Sequence, residues 1–163
     1  MNANLSPVGS DNKHAKEALR LWLRLLACKS MLAQHVRSKL REEFGITLPQ
    51  FDVLAELDYV GKPLTMTELS NQLMVSNGNI TGVVGRLVRD DYVERLLSPT
   101  DRRIQLITLS EKGKKAFKQM ALQHEQWIAQ AFDELTVDEI QQITEQLTQA
   151  GDKLKAKFGK STR

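Results

Sequence analysis

Between Thr65 and Leu109 the hydrophobic spacing switches from helical to alternating, and this switch constrains the fold more than any other feature of the chain. Thr65-Met-Thr-Glu68 has the hydroxyl-to-carboxylate spacing of a capping box, and Leu69, Leu73 and Met74 behind it predict a helix of two to three turns. A short break at Met74-Val75-Ser76 follows. Ser76 is placed to cap a second helix from Asn77 to about Asp90, with Ile80, Val83, Val84, Leu87 and Val88 facing inward. Tyr92 to Leu97 and Ile104 to Leu109 then show strand character around Ser98-Pro-Thr-Asp-Arg-Arg103, a stretch rich in turn formers. Two short helices, a tight turn and a hairpin with a basic tip spell a winged helix-turn-helix.

The flanks read as helix. Lys13 to Phe44 carries Leu19, Trp22, Leu23, Leu26, Ala33 and Leu40 at helical spacing, and Gly45 stops it. Thr47-Leu-Pro-Gln50 is a second capping box, with Pro49 in the first turn; Phe51, Val53, Leu54 and Leu57 follow, and Gly61-Lys-Pro63 ends the element. Ser110 caps a further helix, and Thr136-Val-Asp-Glu139 opens the last, which bears Ile140, Ile143, Leu147 and Leu154 on one side. The expected fold class is therefore mainly α with a small β-hairpin wing (α+β). Residues 1–12 read as a disordered lead, 13–46 with 110–158 as a helical dimerisation lobe, 47–109 as the winged lobe, and 159–163 as a basic tail.

The 163 residues suffice for one domain or two small lobes with a real core. No window approaches the roughly 18 apolar residues of a membrane span, and the N-terminus lacks the apolar run of a signal peptide, so no membrane partner is expected. A single cysteine excludes an internal disulfide and fits a reducing cytoplasm. The net charge of +3 permits a nucleic-acid partner without deciding for one.

Placement of polar groups is more informative. The second helix of the pair opens on Ser76-Asn77-Gly78-Asn79-Ile80-Thr81, which is short, polar and uncharged. Helix N-terminal residues of this kind reach base edges in a major groove, asparagine pairing with adenine and Thr81 using its hydroxyl or methyl group. Gly78, Gly82 and Gly85 each cost about 1 kcal/mol against alanine inside a helix, so a bare surface is needed there for some reason. Arg102 and Arg103 sit on a protruding turn, suited to a narrow minor groove, and Asp101 is expected to orient an arginine through a bidentate pair. The bland alternatives are turn chemistry and a solvated surface turn.

The chain resembles the MarR family of bacterial regulators. The resemblance rests on Leu48-Pro-Gln-Phe51-Asp-Val-Leu54, Met66-Thr-Glu-Leu69, Ser76-Asn-Gly-Asn-Ile-Thr81, Arg86-Leu-Val88, Asp90-Asp-Tyr-Val93, Ser98-Pro-Thr-Asp-Arg-Arg103 and Leu109-Ser-Glu-Lys-Gly113. It implies a triangular homodimer closed by the first and last two helices and an inverted-repeat operator in double-stranded DNA; no cofactor is expected. Asp101 and Arg103 match the family's wing pair, and the matching stretches add Thr67 and Arg86 to the candidate interface. The residues agree on a dimer: Trp22, Trp127, Phe132, Ile143 and Phe158 need a partner surface or a second lobe.

The resemblance further implies a small-molecule effector held between lobes, often an aromatic acid. Its candidate contacts are Arg20 and Arg24 for a carboxylate, Trp22, Met31 and Phe51 for apolar walls, and Ser30 and His35 as donors. The segment Val75 to Thr81 is similar to members controlling hydroxycinnamate catabolism, some of which sense CoA thioesters; Lys29, Arg37 or Lys39 would then take phosphates. Cys28 reads as a buried structural thiol, with a redox-responsive repressor as the alternative. His14, His35 and His124 show no metal-ligand spacing. No nucleophile–base pair or phosphate-cradling glycine loop points to an enzyme. A helical protein-interaction adaptor is the remaining rival.

Overall fold

The computed structural model describes residues 8–159, with side chains from residue 12 onward. Most of the expected lead and residues 160–163 of the basic tail lie outside the described residues. The element order is α1 (Val8–Phe44), α2 (Leu48–Val60), β1 (Leu64–Thr65), α3 (Met66–Gln72), α4 (Asn77–Arg89), β2 (Val93–Leu97), β3 (Gln105–Leu109), α5 (Glu111–Ala131) and α6 (Val137–Phe158). The first helix thus begins at Val8 rather than Lys13. Nothing breaks helical geometry across Gly9-Ser-Asp-Asn12, where composition alone suggested a loose lead.

All three threonine boxes close. The Thr47, Thr65 and Thr136 hydroxyls each accept from the amide three residues on, and Gln50, Glu68 and Glu139 reach back to the cap amides at 2.9, 2.8 and 2.8 Å. Such caps satisfy amides that a helix start would otherwise orphan. The bond from the Thr65 amide holds the Glu68 carboxyl below the usual carboxylate range. Gly61 ends α2 at φ 67°, a left-handed conformation that a Cβ would oppose.

The chain forms two compact units, residues 1–125 and 126–163. In the first, β1, β3 and β2 form an antiparallel sheet in that order, with Leu64 opposite Ile107 and Val93 opposite Leu109. Against it, α2, α3 and α4 bury Leu54, Leu57, Leu69, Ile80, Val84 and Leu87, joined by Val36, Leu40 and Ile46 from around the end of α1. Strand β1 escapes a sequence reading because two residues show no period; its pairing to β3 turns the expected hairpin into a three-stranded sheet. The wing is anchored at its root. A Cβ on Gly113 would collide with the Tyr92 carbonyl, and Ser110 bonds both Asp91 O (2.6 Å) and the Gly113 amide (2.9 Å). Gly113 in Leu-Ser-Glu-Lys-Gly is therefore a packing requirement.

In the second unit, α6 buries no residue at all. Along α1, every described residue from 12 to 31 is exposed. Cys28 is among them, which corrects the expectation of a buried thiol: its neighbours Leu25 and Leu26 are themselves 40% and 38% exposed, so no apolar surroundings enclose it within one chain.

Candidate nucleic-acid interface

The candidate interface is built on α4. Ser76 caps it, its hydroxyl accepting from the Asn79 amide at 3.4 Å. Thr81 Oγ1 donates to the Asn77 carbonyl at 2.7 Å, which turns the hydroxyl proton into the helix and leaves the methyl group and oxygen lone pairs for contact. Ser76, Asn77, Gly78, Asn79 and Thr81 are all exposed, as are Thr67 on α3 and Arg86. The structure places Ser76 to Thr81 at the start of α4, with Thr67 next to it through the Ser70 hydroxyl, and Arg86 further along the helix.

At about 100° per residue, Gly78, Gly82 and Gly85 lie opposite the buried Ile80, Val84 and Leu87. A Cβ on any of the three would meet no atom within 4 Å. Packing among the described residues therefore does not require them, and the outward face of α4 is left bare. Asn79 and Arg86 flank one side of this face and Thr81 the other. Arg86 makes no ion pair among the described residues, which leaves its guanidinium available.

The wing tip is exposed from Pro99 to Ile104. Asp101 departs from expectation: no ion pair ties it to either arginine among the described residues. Its carboxylate instead accepts from the Arg103 amide at 2.9 Å, and its carbonyl accepts from the Ile104 amide at 3.0 Å. Asp101 shapes the turn through the backbone and leaves both guanidinium groups unneutralised. Ser98, buried at the base of the loop, closes it by donating its amide to the Ile104 carbonyl. Two cations escaped the sequence reading. Arg89 is exposed one turn after Arg86, and Arg95 on β2 reaches Gln105 at 3.5 Å. The i,i+3 spacing of Arg86 and Arg89 was the available signal; Arg95 had none.

The candidate effector residues are not gathered into one cavity. Arg20, Trp22, Arg24, Ser30, Met31 and His35 are exposed along α1, and Arg20 is paired with Glu17 at 2.8 Å. Phe51 is core rather than pocket wall: it is 6% exposed, with ring centres 5.6 Å from Phe117 and 4.9 Å from His124. A groove of about 470 Å³ lies instead beside α4, lined by Pro49, Asp52, Val75, Asn79, Val83 and Arg86 among others. Burial raises the Asp52 carboxyl above its ordinary range, although the residue keeps an exposed edge.

This arrangement, a bare-faced helix flanked by amides and cations beside a basic wing, is that of a duplex-binding module. Comparison with known proteins agrees. Residues 44–104 match the MarR family model. The uncharacterised regulator YkoM of Bacillus subtilis is 31% identical over 125 residues, covering 77% of this chain and 79% of YkoM. The transcriptional activatory protein BadR of Rhodopseudomonas palustris is 34% identical over 106 residues, 64% of this chain; the match spans 60% of BadR. A mutant form of MarR from E. coli, complexed with operator DNA, superposes with a TM-score of 0.71 at 27% identity, covering 82% of this chain and 95% of that one. The chain belongs to the MarR family, and it is a DNA-binding transcriptional regulator. Among the described residues, no helix is long and apolar enough to cross a membrane.

Proposed function

We propose that the chain acts in the cytoplasm as a homodimeric repressor that reads an inverted-repeat operator. Residues 47–109 form the reading lobe, and α1, α5 and α6 supply the dimer contacts. The observation that carries this is the pairing of two incomplete surfaces: a polar recognition face with a basic wing, and the uncovered apolar faces of α1 and α6. Two-fold pairing would set half-sites about 34 Å apart, one helical turn of DNA. The Ser76–Thr81 segment, Thr67 and Arg86 contact the major groove, and Arg102 and Arg103 reach the minor groove. Repression follows from a dimer occluding a promoter. BadR, named an activatory protein, favours the opposite sign as the second reading.

The effector we propose is an aromatic carboxylate or its CoA thioester. The exposed Trp22, Met31 and Arg24 on α1 support it, being apolar and cationic surface that a second subunit would enclose.

The test is Arg103→Ala on a duplex enriched by the wild-type protein from a random pool. The variant is expected to bind about tenfold more weakly and with a shallower salt dependence. Unchanged affinity would remove the wing from the interface. An absence of preference for any duplex over random DNA would return the chain to the adaptor reading.

A further inference from the structure

The Asn77 amide is held in place by a neighbouring helix. The Ser70 hydroxyl on α3, only 4% exposed as a residue, lies 2.6 Å from Asn77 Oδ1 and 3.0 Å from the Thr67 carbonyl. Among the described residues this is the one side-chain hydrogen bond that joins α3 to α4. A serine hydroxyl has a single proton for these two acceptors. A separation of 2.6 Å is ordinary for O–H···O and short for N–H···O, so the proton goes chiefly to Asn77 and the amide oxygen faces Ser70. The Asn77 NH₂ group then turns away from Ser70, on an exposed residue at the first position of the helix.

We propose that Ser70 is a positioning residue of the DNA interface. It clamps the Asn77 oxygen so that α4 opens on a fixed hydrogen-bond donor, aimed at an acceptor of the duplex. This rests on the DNA-contact reading of α4 above. Two consequences follow. Ser70 takes one of the two lone pairs of the Asn77 oxygen and fixes the amide plane, so Asn79, whose side chain makes no bond to the rest of the chain among the described residues, is the asparagine with both amide ends open to a bidentate contact with adenine. The helix start also keeps its angle to α3 through a bond of one geometry, rather than through apolar packing alone.

The experiment measures binding of the full chain to the enriched duplex and to a random one, by fluorescence anisotropy. Ser70→Ala is expected to lose about five- to tenfold on the enriched duplex, the scale of one lost hydrogen bond. Ser70→Thr keeps the hydroxyl and is expected to return to within about twofold of wild type. Asn77→Asp keeps the acceptor for Ser70 and suits a helix N-terminus, so it folds, but it replaces the outward donor with a carboxylate and weakens binding at least as much as Ser70→Ala. Loss confined to the enriched duplex identifies a base acceptor; equal loss on both identifies a phosphate. Wild-type affinity in Ser70→Ala or Asn77→Asp overturns the proposal, as do equal losses in Ser70→Ala and Ser70→Thr, which would make the shape of residue 70 decisive. If wild type itself prefers no duplex, the interface reading fails and takes this one with it.

Discussion

Helices α4 and α6 are both amphipathic, yet they end differently. In α4 the apolar residues Ile80, Val84 and Leu87 are at most 2% exposed, while Ile140, Ile143, Leu147 and Leu154 on α6 are between 38% and 54% exposed. The opposite faces differ too. That of α4 is stripped to glycine, and that of α6 is ordinary polar surface. An apolar stripe says that a face needs covering; it does not say whether the cover comes from the same chain. The exposed stripe of α6, like Trp22 and Leu23 on α1, is the kind of patch that marks a protein partner.

The sharpest way to break this contrast is to charge the α6 stripe. Ile143→Asp combined with Leu147→Asp is expected to turn the proposed dimer into an 18.5 kDa monomer by sedimentation, with helix content retained. Operator affinity should fall by about a hundredfold or more, because two linked half-sites become two separate encounters. A variant that stays dimeric would place the subunit contact elsewhere. Leu54→Ala, at a position with no exposure, tests the self-sufficient side. It should cost about 2–5 kcal/mol in denaturant unfolding compared with wild type at the same protein concentration.

Gly82→Ala separates stability from recognition on α4. The added methyl meets open space, so unfolding should become harder by about 1 kcal/mol while operator binding weakens. Improvement in both would mean that nothing approaches the glycine face. The smallest effect concerns pH. Burial beside Phe51 holds the His124 imidazole below its ordinary range, so the unfolded chain binds that proton more readily. The melting temperature should fall as pH drops below about 6.5 and level off once the folded imidazole also titrates. His124→Gln should flatten part of that slope; an unchanged slope assigns it to other groups.

Local chemistry was legible because it acts over three or four residues. The threonine boxes, Gly45 and Gly61, the alternation around the wing and the order of the large elements all follow from neighbours along the chain. So did the recognition segment and the wing arginines as candidates. The effector residues were not legible in the same way. Periodicity placed them on helices, but the cavity by α4 and the core position of Phe51 depend on how α2 packs against α4 and how Phe117 meets it.

By itself, then, the sequence determined a helical chain with a winged motif, its caps, its turns and its candidate DNA face. The tertiary structure alone decided that Leu64–Thr65 is a third strand, that Gly113 must be bare under Tyr92, that Asp101 bonds backbone rather than guanidinium, and that Ser70 holds Asn77. With the exception of the Asp101 turn, these are contacts between residues seven to more than forty positions apart. Their geometry comes from packing, which no short-range pattern encodes.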